Sequence, residues 1–333
     1  MSDEFTSGIM LNGQASWHRK ESEVVVGTLP ALDAFTRAGA LFPVGKLHTM
    51  AGDPSWPKED WIDMTPDAMA VWRPDERRIL GTVSPGYTVI PNERLLQFAQ
   101  ALREECDMDA VVVLRHGRRV AFTAKLRSTD LQVLPGDTVY RNIVGYLGHG
   151  GDTGFGGMFA NTRVVCANTL GYAQGESRGS RQQFTIRHTD NDISQIDKVL
   201  ENIDIARQSF IEVVDDYKAM AASPMTIDLF RSYLENVYQV QPVTGADGER
   251  RPGTIEDMPR KWVALENAWN HGLGSDIPGV RGTVYAGLNA VTEVETSQKA
   301  KGAGLRRFHS ATFGTGAGII RRAESLAREL VLA

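Results

Sequence analysis

The chain has 333 residues, 42% of them apolar, with a formal net charge of −5, so one large domain or two with a sizeable core is expected. Its two cysteines, Cys106 and Cys166, stand far apart, which argues against a disulfide framework or a cysteine-rich zinc site. The acidic start Ser2-Asp3-Glu4 is unlike a secretory signal, and no apolar run approaches the roughly 20 residues of a membrane span, so a soluble, cytoplasmic protein is expected.

Residues 1–16 read as a flexible start. A helix is predicted near Ala31–Ala38 within an irregular stretch rich in Trp, Pro and Gly. Period-two patterns follow: Met69–Arg73 and Arg77–Val83 flank Pro74-Asp75-Glu76 as a hairpin, and Tyr87–Ile90 reads as a further strand after Pro85-Gly86. Asn92 is a candidate N-cap for a helix reaching about Glu105, with Leu95, Leu96, Ala99 and Leu102 as its apolar stripe. A meander comes next. Ala110–Arg115 and Arg118–Arg127 meet at His116-Gly117, and Thr138–Leu147 and Met158–Val165 add strands on either side of a Gly-rich segment, 148–157. Asn168–Ala173 reads as a short helix beneath this sheet.

Beyond Arg187 the spacing turns helical. Helices are predicted from Asp190 or Asn191 to Met220, over Ile227–Tyr238, after a Thr254/Asp257 capping box, over Thr283–Lys299 and over Phe313–Leu332. The fold class is α+β: an antiparallel β-meander core with flanking helices, followed by a mostly helical C-terminal half. The expected organisation is a flexible start (1–16), an α+β core with a basic sheet face (17–190) and a helical region packed on it (191–333).

Charge is unevenly distributed. Residues 1–110 carry net −7, residues 111–187 net +6, residues 188–279 net −8 and residues 280–333 net +4. A basic centre in an acidic chain suits a face that attracts an anion. In the second meander strand Val120, Phe122, Ala124 and Leu126 share one side, and Arg119, Thr123, Lys125 and Arg127 the other. One side is expected to be core and the other wet and basic, with Arg115, Arg118, Arg119, Lys125, Arg127, Arg141 and Arg163 holding phosphates. Tyr140 and Tyr146 would stack bases. An ordinary solvated sheet face explains the same residues about as well.

Other constellations are weaker. The seven histidines lack metal-ligand spacing, and no metal or other cofactor is expected. Cys166 has no sequence-neighbouring His and reads first as core packing. The Gly-rich segments 150–157 and 313–318 lack the Lys-Ser/Thr of a phosphate loop and read first as turns.

Trp17-His18, Leu80-Gly81-Thr82-Val83, Arg163-Val-Val-Cys-Ala-Asn-Thr-Leu170, Arg187-His188-Thr189 and Leu288-Asn-Ala-Val-Thr-Glu293 together resemble a family of phage/plasmid-like proteins carrying a domain of unknown function. The segment after His18, Arg19-Lys20-Glu21, departs from its pattern. The resemblance implies a mobile-element setting and an accessory role. The order helix, meander, helix over 92–175 is also similar in topology to Rad52-type single-strand annealing proteins, which implies a basic groove for DNA and a homo-oligomer.

The leading expectation is therefore a protein binding single-stranded DNA or RNA, of annealing type, in recombination or replication, with no catalytic residue. One alternative is an accessory or anti-defence protein binding a host protein through its acidic helical half. The other is an enzyme with a site assembled around Cys166, His149 and His188.

Overall fold

The computed structural model describes residues 5–11, 23–163, 168–172, 183–186, 203–244, 249–297 and 315–332. The chain divides into two compact units. One comprises residues 1–127, 143–159 and 175–203, and the other residues 128–142, 160–174 and 204–333.

The first unit opens on β1 (Phe5–Leu11), a strand where the sequence suggests a flexible start. Ile9 and Leu11 are fully buried, and β1 runs parallel to β2 (Glu23–Val25). Helix α1 (Ala31–Arg37) comes next, close to its predicted range. Then β3 (Gly45–His48) leads into an outlying pair, β4 (Met50–Ala51) and β5 (Ile62–Asp63). The predicted hairpin follows as β6 (Met69–Arg73) and β7 (Arg78–Val83), which with β3 form a three-stranded sheet in the order β3-β6-β7. Tyr87–Ile90 is not a strand. Lys46 Nζ donates to the carbonyls of Pro85 and Tyr87, taking up acceptors that a ladder would need.

Helix α2 (Asn92–Ala101) starts where predicted and stops four residues short of the predicted end. Asn92 does not cap it, because its side chain is engaged elsewhere. The long strands β8 (Cys106–Leu114) and β9 (Arg119–Leu126) pair antiparallel, and β1 lies antiparallel on the outer side of β8. Phe122 meets Phe35 of α1 and Phe98 of α2 at ring-centroid distances of 6.1 and 5.4 Å, so this side of β9 is core, as the alternation predicts.

The remaining strands are β10 (Leu131–Leu134), β11 (Asp137–Gly148), β12 (Phe155–Arg163), β13 (Asn168–Tyr172) and β14 (Gln183–Ile186). The large sheet has the order β13-β12-β11-β9-β8-β1-β2, with β10 on β11 and β14 on β12. Asn168–Tyr172 is thus a strand rather than the expected short helix, antiparallel to the end of β12 with Arg163 opposite Asn168.

The second unit holds helices α3 (Ile203–Ala222), α4 (Ile227–Tyr238), α5 (Pro259–His271), α6 (Val284–Ser297) and α7 (Thr315–Leu332). A two-residue pair, β15 (Val243–Thr244) with β16 (Arg250–Arg251), closes the loop between α4 and α5. The Thr254/Asp257 capping box is present. Every residue of α6 from Val284 to Thr292 is buried, so α6 is the unit's central helix. Around it Phe230 stacks on Trp269 at 4.6 Å and Tyr217 lies 5.8 Å from Tyr285. The predicted start of α3, residues 190–202, lies outside the described residues.

The fold is α+β, with a β-rich first half and most of its seven described helices in the second. Among the described residues no helix is long and apolar enough to cross a membrane.

A candidate anion-binding corner

The sequence expects one solvated, basic sheet face. That expectation is corrected by burial. Every residue of β9 except Lys125 is buried, as is every residue of β11 except Thr138. Tyr146 is only 4% exposed and presents no stacking surface. Alternation along a strand fixes which residues share a side, but not whether a second layer covers that side.

Three of the predicted cations come together at one end of β9. Arg115, His116 and Gly117 form a single tight turn between β8 and β9, with φ of +50°, +57° and +97°. Gly117 is required there, because a Cβ would sit 2.6 Å from the Phe42 ring. The turn is pinned by Thr6, whose hydroxyl accepts the His116 N–H at 2.6 Å. Arg118 and Arg119 then point toward the Gly-rich loop 148–154 between β11 and β12.

Arg118 Nη2 donates to the Gly150 carbonyl at 3.4 Å and lies 3.3 Å from Asp152 Oδ2. Arg119 Nη2 donates to Thr153 Oγ1 and lies 3.9 Å from the same carboxylate. Burial lowers the Arg119 guanidinium to about 10, opposed by Asp152 and reinforced by Arg115 and Arg118. Arg115 and Arg118 thus lie within electrostatic reach of Arg119, and the Asp152 carboxylate lies beside Arg118 and Arg119.

Beneath the loop lies a buried polar pair. Asn92 and His149 are both fully buried. Asn92 Nδ2 donates to the Phe42 carbonyl at 2.9 Å, which leaves its Oδ1 to accept from His149 Nε2, also at 2.9 Å. The His149 N–H bonds to the Arg118 carbonyl at 2.8 Å, and Tyr87 OH donates to the Gly148 carbonyl. These contacts fix the loop against the β8–β9 turn. On the other flank Arg73 lies 4.0 Å above the Phe42 ring and pairs with Asp75 and Glu76.

The other predicted cations are elsewhere. Arg127, at the far end of β9, is exposed and tied to Asp107 at 2.7 Å and to the Glu104 carbonyl. Lys125 is half-buried, within electrostatic reach of Asp109. In the second unit, Tyr140 is buried and Arg141 is fully so. Arg141 Nη2 reaches Ser209 Oγ at 3.5 Å, and its guanidinium sits 5.9 Å from the Phe210 ring. That is core, not a wet face. Arg163 is placed by its backbone alone, and its side chain, Cys166 and His188 lie outside the described residues.

Sequence reasoning gave Asp152 and Thr153 no role and read Asn92 only as an N-cap. The Gly-rich loop, read first as a turn, was the signal for Asp152 and Thr153. Asp109 gave none; it is 9% exposed at a register shift of β8, and burial raises its carboxyl to about 6.

A family model described as a domain of unknown function, DUF932, matches residues 79–328. The chain belongs to the DUF932 family. The match takes in the β8–β9 turn, the Gly-rich loop and all the helices from α2 onward, whereas β1 to β6 of this DUF932 chain precede it. Its description carries no activity, no phage or plasmid setting and no likeness to Rad52-type proteins. No curated protein and no solved structure matches the chain. Among the described residues no group of His, Cys, Asp and Glu could hold a metal ion.

Proposed function

We propose that this protein binds the phosphates of a single-stranded nucleic acid at the corner made by the β8–β9 turn and the Gly-rich loop, in a binding role of the kind strand annealing needs. The observation that carries the reading is the grouping of Arg115, Arg118 and Arg119 at one end of β9, within the stretch 111–187 that carries net +6 in an acidic chain. Guanidinium groups match phosphate oxygens in geometry as well as charge. Arg118 is the central ligand, because its side chain is 28% exposed and Arg119 behind it is 8% exposed.

The site is local rather than strand-long. Stacking by Tyr140 and Tyr146 has no place in the reading, because both rings are buried. Fluorescence anisotropy with a labelled single-stranded oligonucleotide tests it. Arg115→Ala combined with Arg118→Ala should weaken binding by about tenfold or more, each charged hydrogen bond being worth roughly 1.5–3 kcal/mol. Arg127→Ala, at the other end of β9, should leave affinity unchanged. Equal losses in both would place the binding outside the corner.

A further inference from the structure

We propose that the β4–β5 arm of one copy of this chain docks on the outer face of the β6–β7 hairpin of a second copy, a head-to-tail contact. The arm is prefolded. Gly52 lies flat under Trp61, where a Cβ would come within 2.6 Å of the ring. Met64 N–H bonds to the Thr49 carbonyl at 2.8 Å, Thr49 Oγ1 donates to the Ala68 carbonyl, and Asp53 and Asp63 each accept from residues two positions on. Such a loop loses little freedom on binding.

Yet it exposes three large apolar side chains: Met50 at 54%, Trp56 at 50% and Ile62 at 61%. Between residues 49 and 64 stand Asp53, Glu59, Asp60 and Asp63 against the single cation Lys58. Among the described residues Glu59 and Asp60 take part in no ion pair. An aromatic and aliphatic centre with an acidic rim is the make-up of a protein interface.

The complementary surface lies on the adjoining β3-β6-β7 sheet, from which the arm extends. Ile79, 54% exposed, is paired across the β6–β7 ladder with half-buried Trp72, so the two share a face. Arg77, in the turn beside them, is exposed and forms no ion pair among the described residues. Apolar surface faces apolar surface, and Arg77 faces the acidic rim. The arm leaves the sheet where His48 pairs with Met69, whereas Trp72, Ile79 and Arg77 sit at the opposite end, where Arg73 pairs with Arg78. Arm and receiving patch thus point away from each other along one sheet. The contact joins different surfaces of two copies, which builds chains or rings instead of a self-complementary dimer.

Sedimentation velocity of the full chain, over a hundredfold concentration range reaching about 100 μM, tests the proposal. Wild type should associate. An arm variant (Trp56→Ser with Ile62→Ser) and a patch variant (Ile79→Ser with Arg77→Glu) should each raise the dissociation constant by about tenfold or more. Mixing the two variants should restore a dimer, because the patch variant keeps an intact arm and the arm variant an intact patch. The charge-only substitutions Asp60→Lys and Arg77→Glu, on exposed side chains, ask the same question with the apolar contacts untouched. A monomeric wild type would overturn the proposal and leave the arm to a different protein. So would a patch variant that associates as wild type does, or a mixture of folded variants that stays monomeric.

Discussion

Asp109 sits at the register shift between Met108 and Ala110, with Thr123 Oγ1 donating to it at 3.4 Å and Lys125 nearby. Burial raises its carboxyl to about 6, above its ordinary value of 3.8. Between those two pH values the folded chain holds a proton that the unfolded chain has lost, so this residue's contribution favours folding at low pH and is lost as pH rises through 6. Asp109→Asn should therefore stabilise the protein at pH 7.5, by roughly 1–3 kcal/mol, and change little near pH 4. Urea unfolding at the two pH values checks this, and an equal shift at both would contradict the assignment. Asn92 carries the opposite sign. Its amide joins the Phe42 carbonyl to His149, and Asn92→Leu should destabilise by about 1–3 kcal/mol by leaving both buried groups unmatched.

At the scale of elements, the structure separates Arg119 from Arg127, which alternation along β9 and its end places on one side. Phe122→Ala, opposite Phe35 and Phe98, should lower stability by about 3–5 kcal/mol, whereas exposed Arg127→Ala should shift it by about 0.5 kcal/mol or less. Arg119→Ala should behave like neither, costing about 1–3 kcal/mol through the loss of its bond to Thr153 within a buried site. The Gly-rich loop offers a cleaner probe. A Cβ at Gly150 would fall 2.2 Å from Arg118 Nε, so Gly150→Ala should push that side chain aside and weaken oligonucleotide binding while the thermal unfolding midpoint stays near wild type. Binding at wild-type strength would show that Arg118 is not the ligand.

The elements most legible in the sequence are those set by local chemistry. Helix α4 matches its predicted range of 227–238, the Pro74-Asp75-Glu76 turn joins β6 to β7, and Thr254 with Asp257 forms its box. What sequence could not supply is pairing at a distance. Strand β1 is held by β8, about a hundred residues away, and β13 by β12; the short run Asn168–Tyr172 has no period strong enough to choose strand over helix without that partner. The candidate site divides the same way. Arg115, Arg118 and Arg119 are adjacent in sequence and meet in space, but the burial of Tyr140, Arg141 and Tyr146 depends on layers that alternation does not reveal.

For the whole molecule the governing quantity is charge. Long-range repulsion from an acidic chain should slow the approach of a polyanion, and screening beyond about 8 Å at physiological ionic strength leaves the corner to decide affinity at contact. The most direct test of phosphate binding at the corner is the salt dependence of oligonucleotide affinity. With two or three phosphates held by Arg115, Arg118 and Arg119, the slope of log affinity against log salt should be about −1.4 to −2, at roughly −0.7 per phosphate on a single strand. Arg115→Ala with Arg118→Ala should flatten it toward zero. No binding by folded protein at about 50 mM salt, or a slope unchanged in the double variant, would contradict the account.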